Sequence, residues 1–104
     1  MNRFPLCINL EDKRFLIVGY GRIAKRKLKA ISEFTSNIKI ITKELMEEEL
    51  GKGIEIVNKC FDESDLEGVD FVITATGSRE QDEAVVASCK AKGIPVNAAD
   101  DREE

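Results

Sequence analysis

The stretch LIVGYGRIAKRKL, residues 16–28, passes from an apolar run through two glycines into an amphipathic, basic segment. A run of strand length closing at Val18, then Gly19 and Gly21, then a helical pattern opening near Arg22, has the form of the first turn of a dinucleotide-binding βαβ unit. In such a turn Gly19 permits the tight bend. Gly21 lets the backbone approach a pyrophosphate, whose charge meets free amides and the positive end of a helix dipole. Ala24 takes the third position of a GxGxxA pattern, where a small side chain lets helix and strand pack closely. Arg22, Lys25 and Arg26 put cations in a first helical turn, which the dipole disfavours. They read either as partners of a nearby anion or as side chains extended into solvent. A glycine pair alone also occurs in plain turns, so the surrounding pattern has to decide.

Outward from this stretch, apolar runs of strand length recur at 14–18, 38–41, 54–57, 71–75 and 94–98. Helical periodicity lies between them: Ala24, Leu28, Ile31 and Phe34 share one spacing, and Ala84, Ser88 and Ala91, flanked by Val85 and Cys89, share another. Strands alternating with helices predict an α/β fold, and Ile- and Val-rich runs predict strands covered on both faces. Right-handed crossovers make this a doubly wound parallel sheet, expected to be Rossmann-like with about five strands in the order 3-2-1-4-5 of the dinucleotide-binding fold. The charged run KELMEEEL at 43–50 reads as a solvated helix face, and Pro5 and Pro95 fall at strand starts. The 104 residues read as a single domain over 1–104, without repeat or linker.

Composition narrows the chemistry. No apolar run reaches the roughly 18 residues of a membrane span, and MNRFPLCINLEDK lacks the continuous apolar segment of an export signal. Cys7, Cys60 and Cys89 are odd in number and widely spaced, which fits reduced thiols and a cytoplasmic location. The net charge of -4 argues against a nucleic-acid partner and leaves a small anion as the partner for the local basic cluster. Histidine is absent, so neither a metal site nor a Ser-His nucleophile is expected.

Three further places fall at the ligand-facing edge of such a sheet. Past the second strand stand Thr42, Lys43 and Glu44: Glu44 suits the 2′-hydroxyl of NAD, Lys43 a 2′-phosphate, and both also suit the opening of a helix. After the fourth strand the small residues Ala75, Thr76 and Gly77 present backbone to a ligand. Beyond the fifth, Asp100 reads as a carboxylate at that edge or as an N-cap.

Taken together, PLCINLEDKRFLIVGYG, RIAKRK, FDESDLEGVDFVITAT and AKGIPVNAADD, in this order, resemble the NAD-binding domain of precorrin-2 dehydrogenases, the siroheme-synthase family. The resemblance covers nearly the whole chain. It implies an NAD-dependent oxidoreductase that takes the tetrapyrrole precorrin-2 to sirohydrochlorin in siroheme biosynthesis. It implies that Gly19, Gly21, Arg22 and Ile23 hold the pyrophosphate, that Lys43 and Glu44 lie beside the adenosine ribose, and that Ala75, Thr76 and Asn97 complete the cofactor site. Asn97 and Asp100 match the family's Asn-x-x-Asp, whose aspartate is its candidate acid/base.

The chain departs from the family pattern in four respects. Gly77 and Ser78 stand where acidic residues are usual, Asp82 where asparagine is, and Tyr20 where glycine is common. The sequence also stops at Glu104, where the family continues into a dimerisation and tetrapyrrole-binding region. The resemblance therefore implies a minimal or split dehydrogenase, with a homodimer or a partner chain supplying that region. The alternative is a nucleotide-binding sensor without catalysis. Sensors of potassium transport also carry a Gly-Tyr-Gly-Arg loop, but place an acid where Thr42 stands and lack the Asn-x-x-Asp ending.

Overall fold

A computed structural model of the chain describes residues 13–43 and 53–98. Five strands form one parallel sheet: β1 (Phe15–Val18), β2 (Ile38–Thr42), β3 (Ile54–Asn58), β4 (Phe71–Thr74) and β5 (Val96–Ala98), in the order β3-β2-β1-β4-β5. This is the 3-2-1-4-5 order expected from the sequence. β1 is central, with Phe15 beside Ile38 on one side and beside Phe71 on the other. Helices α1 (Arg22–Ser32) and α2 (Arg79–Lys92) cover the two faces.

Alternation along β1 assigns those faces. Ile17 joins Ala24 and Leu28 of α1 in one core cluster, while Leu16 and Val18 join Val85 and Cys89 of α2 and Leu66 of a 3-10 turn (Glu63–Leu66) in the other. Each large aliphatic side chain fully buried in this way contributes about 1.5–3 kcal/mol. Tyr20 also turns inward, packing under α1 with the Lys25 ammonium 5.0 Å from its ring centre.

The two helices begin differently. The N-cap of α2 is Ser78, whose hydroxyl accepts the Gln81 amide; Glu80 and Asp82 lie in its first turn, Lys90 and Lys92 in its last, and Gly93 closes it in the left-handed conformation. The charges follow the helix dipole, and the two caps satisfy end groups that the helix itself leaves unpaired. The N-cap of α1 is Gly21, which has no side chain to cap with, and its first turn holds no acid.

The structure corrects the sequence-based reading in several places, beyond shifts of one residue at the ends of the first three strands. Phe34, assigned to the apolar face of the first helix, lies beyond its end and is 74% exposed. In α2 the inward residues are Asp82, Val85 and Cys89, whereas Ala84 and Ala91 are exposed. The last strand starts at Val96, after Pro95, which has no amide to donate. Ala75 lies just past β4, although its amide still bonds the Val18 carbonyl. Of the charged run at 43–50 only Lys43 is among the described residues, and Pro5 and Cys7 also fall outside them. Among the described residues no helix is long and apolar enough to cross a membrane.

Candidate functional site

The chain leaves β1 toward one face of the sheet and β4 toward the other, so the loops at their carboxyl ends part and open a crevice. A cleft of about 1510 Å³ lies there. Its lining includes Gly19, Gly21, Arg22, Ile23, Lys43, Ala75 and Thr76, seven residues singled out from the sequence. Asn97 is not among them. It is exposed in the middle of β5, and its neighbour Ala98 lines the cleft instead, as strand alternation requires. Glu44 and Asp100 lie outside the described residues.

The two glycines of the first turn have separate duties. Gly19 has φ +101, and a β-carbon there would stand 2.8 Å from the Ala75 carbonyl carbon and 2.9 Å from the Thr76 Cα. Its bare backbone lets the β1 and β4 turns touch. Gly21 has φ -85, and a β-carbon there would meet no heavy atom within 4 Å. The space over the start of α1 is therefore open, and the helix dipole presents its positive end to it without a capping side chain. Such a cradle fits the pyrophosphate of a dinucleotide.

Opposite the glycine turn, residues 75–78 are held by the buried carboxylate of Asp82. Its Oδ1 accepts from the Thr74 hydroxyl at 2.7 Å and the Thr76 amide at 3.0 Å, and the Thr76 hydroxyl lies 2.9 Å away. That hydroxyl is also 3.1 Å from the Ser78 carbonyl and accepts the Ser78 amide at 3.2 Å. Thr74 is fully buried, so its hydroxyl depends on Asp82.

The third wall is formed by the ends of β2 and β3. Thr42 is buried, and its carbonyl accepts from the Lys59 amide and the Asn58 side chain. Lys59, Cys60 and Phe61 continue the lining past β3. The Lys59 ammonium is held by both oxygens of Asp65, at 2.7 and 2.9 Å. Asp65 also caps the 3-10 turn reciprocally with Asp62, and the Ser64 hydroxyl and amide beside Asp62 keep its carboxyl below the usual range.

Sequence reasoning missed this wall and the Asp82 lock. The first could have been found from its position directly after the third strand. The second carried only a weak signal, an acid in the opening turn of a helix that follows two threonines.

Comparison with known proteins agrees with this geometry. A family model described as "Putative NAD(P)-binding" matches residues 6–104. The "Probable multifunctional siroheme biosynthesis protein HemA" of Ruminiclostridium josui is 38% identical over 106 residues, covering 98% of this chain and 21% of its own length. The siroheme synthase of Ectopseudomonas mendocina is 32% identical over 102 residues, covering 96% and 22%. The chain thus spans about a fifth of the length of these relatives. Among solved structures, SirC, a precorrin-2 dehydrogenase, superposes with TM-score 0.70 at 24% identity over 92% of this chain and 50% of its own, which shows a shared fold. The chain belongs to the NAD(P)-binding family that this model defines, and it is homologous to a segment of the siroheme synthases.

Proposed function

We propose that the chain binds NAD⁺ in this cleft and is the cofactor-binding part of a precorrin-2 dehydrogenase, converting precorrin-2 to sirohydrochlorin. The observation that carries this reading is the meeting of an uncapped, glycine-started helix with a locked second turn at the point where strand order reverses. Similarity to siroheme synthases supports the substrate class. Contacts to the tetrapyrrole beyond this domain are assigned to a further region or to a partner chain, a second copy included.

In this reading the backbone at Gly19, Gly21, Arg22 and Ile23 holds the pyrophosphate, and Lys43 with Glu44 meets the adenosine ribose. Ala75 and Thr76 line the half of the cleft that takes the other end of the dinucleotide. Once bound, the nicotinamide supplies the hydride acceptor. Oxidation removes two hydrogens from the tetrapyrrole, one as hydride and one as a proton, so a base must stand near the ring. With no histidine in the chain, Asp100 is assigned that proton, and Asp101 is its nearest rival.

Titration calorimetry tests the binding half. NAD⁺ should bind the wild type and bind it more tightly than NADP⁺ does, while Gly21→Val, whose side chain fills the open space, should abolish binding. Equal binding by wild type and variant would move the site elsewhere. For the chemical half, the protein with any partner needed for activity is incubated with precorrin-2 and NAD⁺, and the sirohydrochlorin spectrum is followed. Asp100→Asn should lose turnover and keep NAD⁺ affinity. Loss only in Asp101→Asn would shift the role by one residue, and full activity in both would end it.

A further inference from the structure

The ribose side of the cleft carries charge of one sign. In a doubly wound sheet the adenosine ribose lies toward the end of the second strand. There the lining holds Lys43 and Lys59, while the acids that line the cleft among the described residues, Asp82 and Glu83, both belong to α2. Lys59 is tied to this place by its main chain, whose amide donates to the carbonyl of Thr42, the residue before Lys43. Two lysines at the end of β2 suit the anionic 2′-phosphate of NADP⁺ better than the neutral 2′-hydroxyl of NAD⁺.

One of the two is already engaged. The Lys59 ammonium lies 2.7 and 2.9 Å from the two oxygens of Asp65, and Asp65 is not among the lining residues. Asp65 is itself fixed: its Oδ2 also accepts the Asp62 amide at 2.7 Å, in the reciprocal cap of the 3-10 turn. Its side chain is 7% exposed, against 36% for Lys59. The longer, more exposed side chain is thus drawn to the held one, and the pair is neutral.

We propose that Asp65 is a specificity-determining residue for the cofactor: by holding and neutralising the Lys59 ammonium it withholds a cation from the 2′ position and favours NAD⁺ over NADP⁺. Resting on the NAD-binding reading above, this names what sets the preference within it. Asp65 acts through Lys59, so its effect belongs to the ratio of two affinities rather than to either alone.

Calorimetry gives that ratio, since NAD⁺ and NADP⁺ differ only by the 2′-phosphate. Asp65→Asn removes the charge and keeps an oxygen for the Asp62 amide. It should raise the affinity for NADP⁺ relative to NAD⁺ by about fivefold, a gain that shrinks as salt is added. Asp65→Asn combined with Lys59→Met, which has neither charge, should return the ratio to its wild-type value. Glu55→Gln, the same change in net charge near the start of β3, should leave it there as well. Asp65→Ala, which also gives up the cap, should shift the ratio as Asn does, so the test stands on two variants.

An unchanged ratio in Asp65→Asn and Asp65→Ala, an equal gain in Glu55→Gln, or a gain that survives Lys59→Met would overturn the role of Asp65 and leave the cofactor site standing. So would a wild type that binds NADP⁺ more tightly than NAD⁺. Failure of the wild type to bind either dinucleotide would overturn the site and this role together.

Discussion

Gly19 and Ala75 stand so close that a β-carbon on Gly19 would collide with the Ala75 carbonyl. This contact joins the turns that follow β1 and β4, and its backbone conformation, φ +101, is one that side chains resist. Gly19→Ala should therefore cost about 2–4 kcal/mol, combining strain and overpacking. Gly21→Ala, in extended backbone with open space above it, should cost a few tenths. Urea denaturation of the two variants checks the contrast, and similar losses in both would refute it.

The polar lock at Thr74 and Asp82 carries its own stability. Thr74→Val should cost about 1 kcal/mol through one lost hydrogen bond. Asp82→Ala should cost about 1–3 kcal/mol, because it strands the buried Thr74 hydroxyl. A double-mutant cycle should show the pair coupled, since the second change removes a partner that the first has already lost.

Asp65 serves both the 3-10 turn and Lys59. Asp65→Ala removes the acceptor of the Asp62 amide and the ion pair together, and should destabilise by about 1–2 kcal/mol. Lys59→Met, which removes only the half-exposed cation, should cost less than about 1 kcal/mol. Thermal unfolding of both variants orders the two effects.

The two described thiols should differ sharply in reactivity. Cys60 is exposed and Cys89 buried, so iodoacetamide followed by peptide mapping should label Cys60 in the native protein and Cys89 only on unfolding. Burial also raises the Cys89 thiol above its ordinary value of 9.0. The folded state thus holds this proton more tightly than the unfolded chain does. The linked stability is complete below about pH 9 and is lost as pH climbs through the folded value. Cys89→Ala should show a shallower alkaline decline than wild type.

What could be read in advance was whatever the chain states locally. The run from Phe15 to Val18, the glycines after it and the helical spacing of Ala24 and Leu28 lie within a few turns of one another, and they led directly to the β1–α1 unit. The strand order followed from the dinucleotide-binding form of the glycine turn, since alternation and handedness alone also allow other doubly wound orders. The face of α2 did not, because alanine at 84 and 91 is as comfortable in solvent as in a core, and hydropathy does not distinguish the two. Phe34 illustrates the same limit: its spacing continued a helix that had already ended. Asp82 was hidden among many acids, since only the fold brings its carboxylate onto Thr74 and Thr76. The wall of Lys59, Cys60 and Phe61 lies some forty residues from the glycines in sequence and beside them only in space.

The central place of β1 also sets an order in time. Synthesis delivers this strand first among the described five, yet its register with Phe71 and Thr74 of β4 waits until more than fifty further residues have been made. During that interval Leu16 and Val18 lack the α2 face that later buries them, and one flank of β1 is an open template for pairing with any extended chain. Pairing of β4 closes the open flank, and docking of α2 then buries Leu16 and Val18 and completes the crevice, so the ligand cleft and the finished fold arrive together.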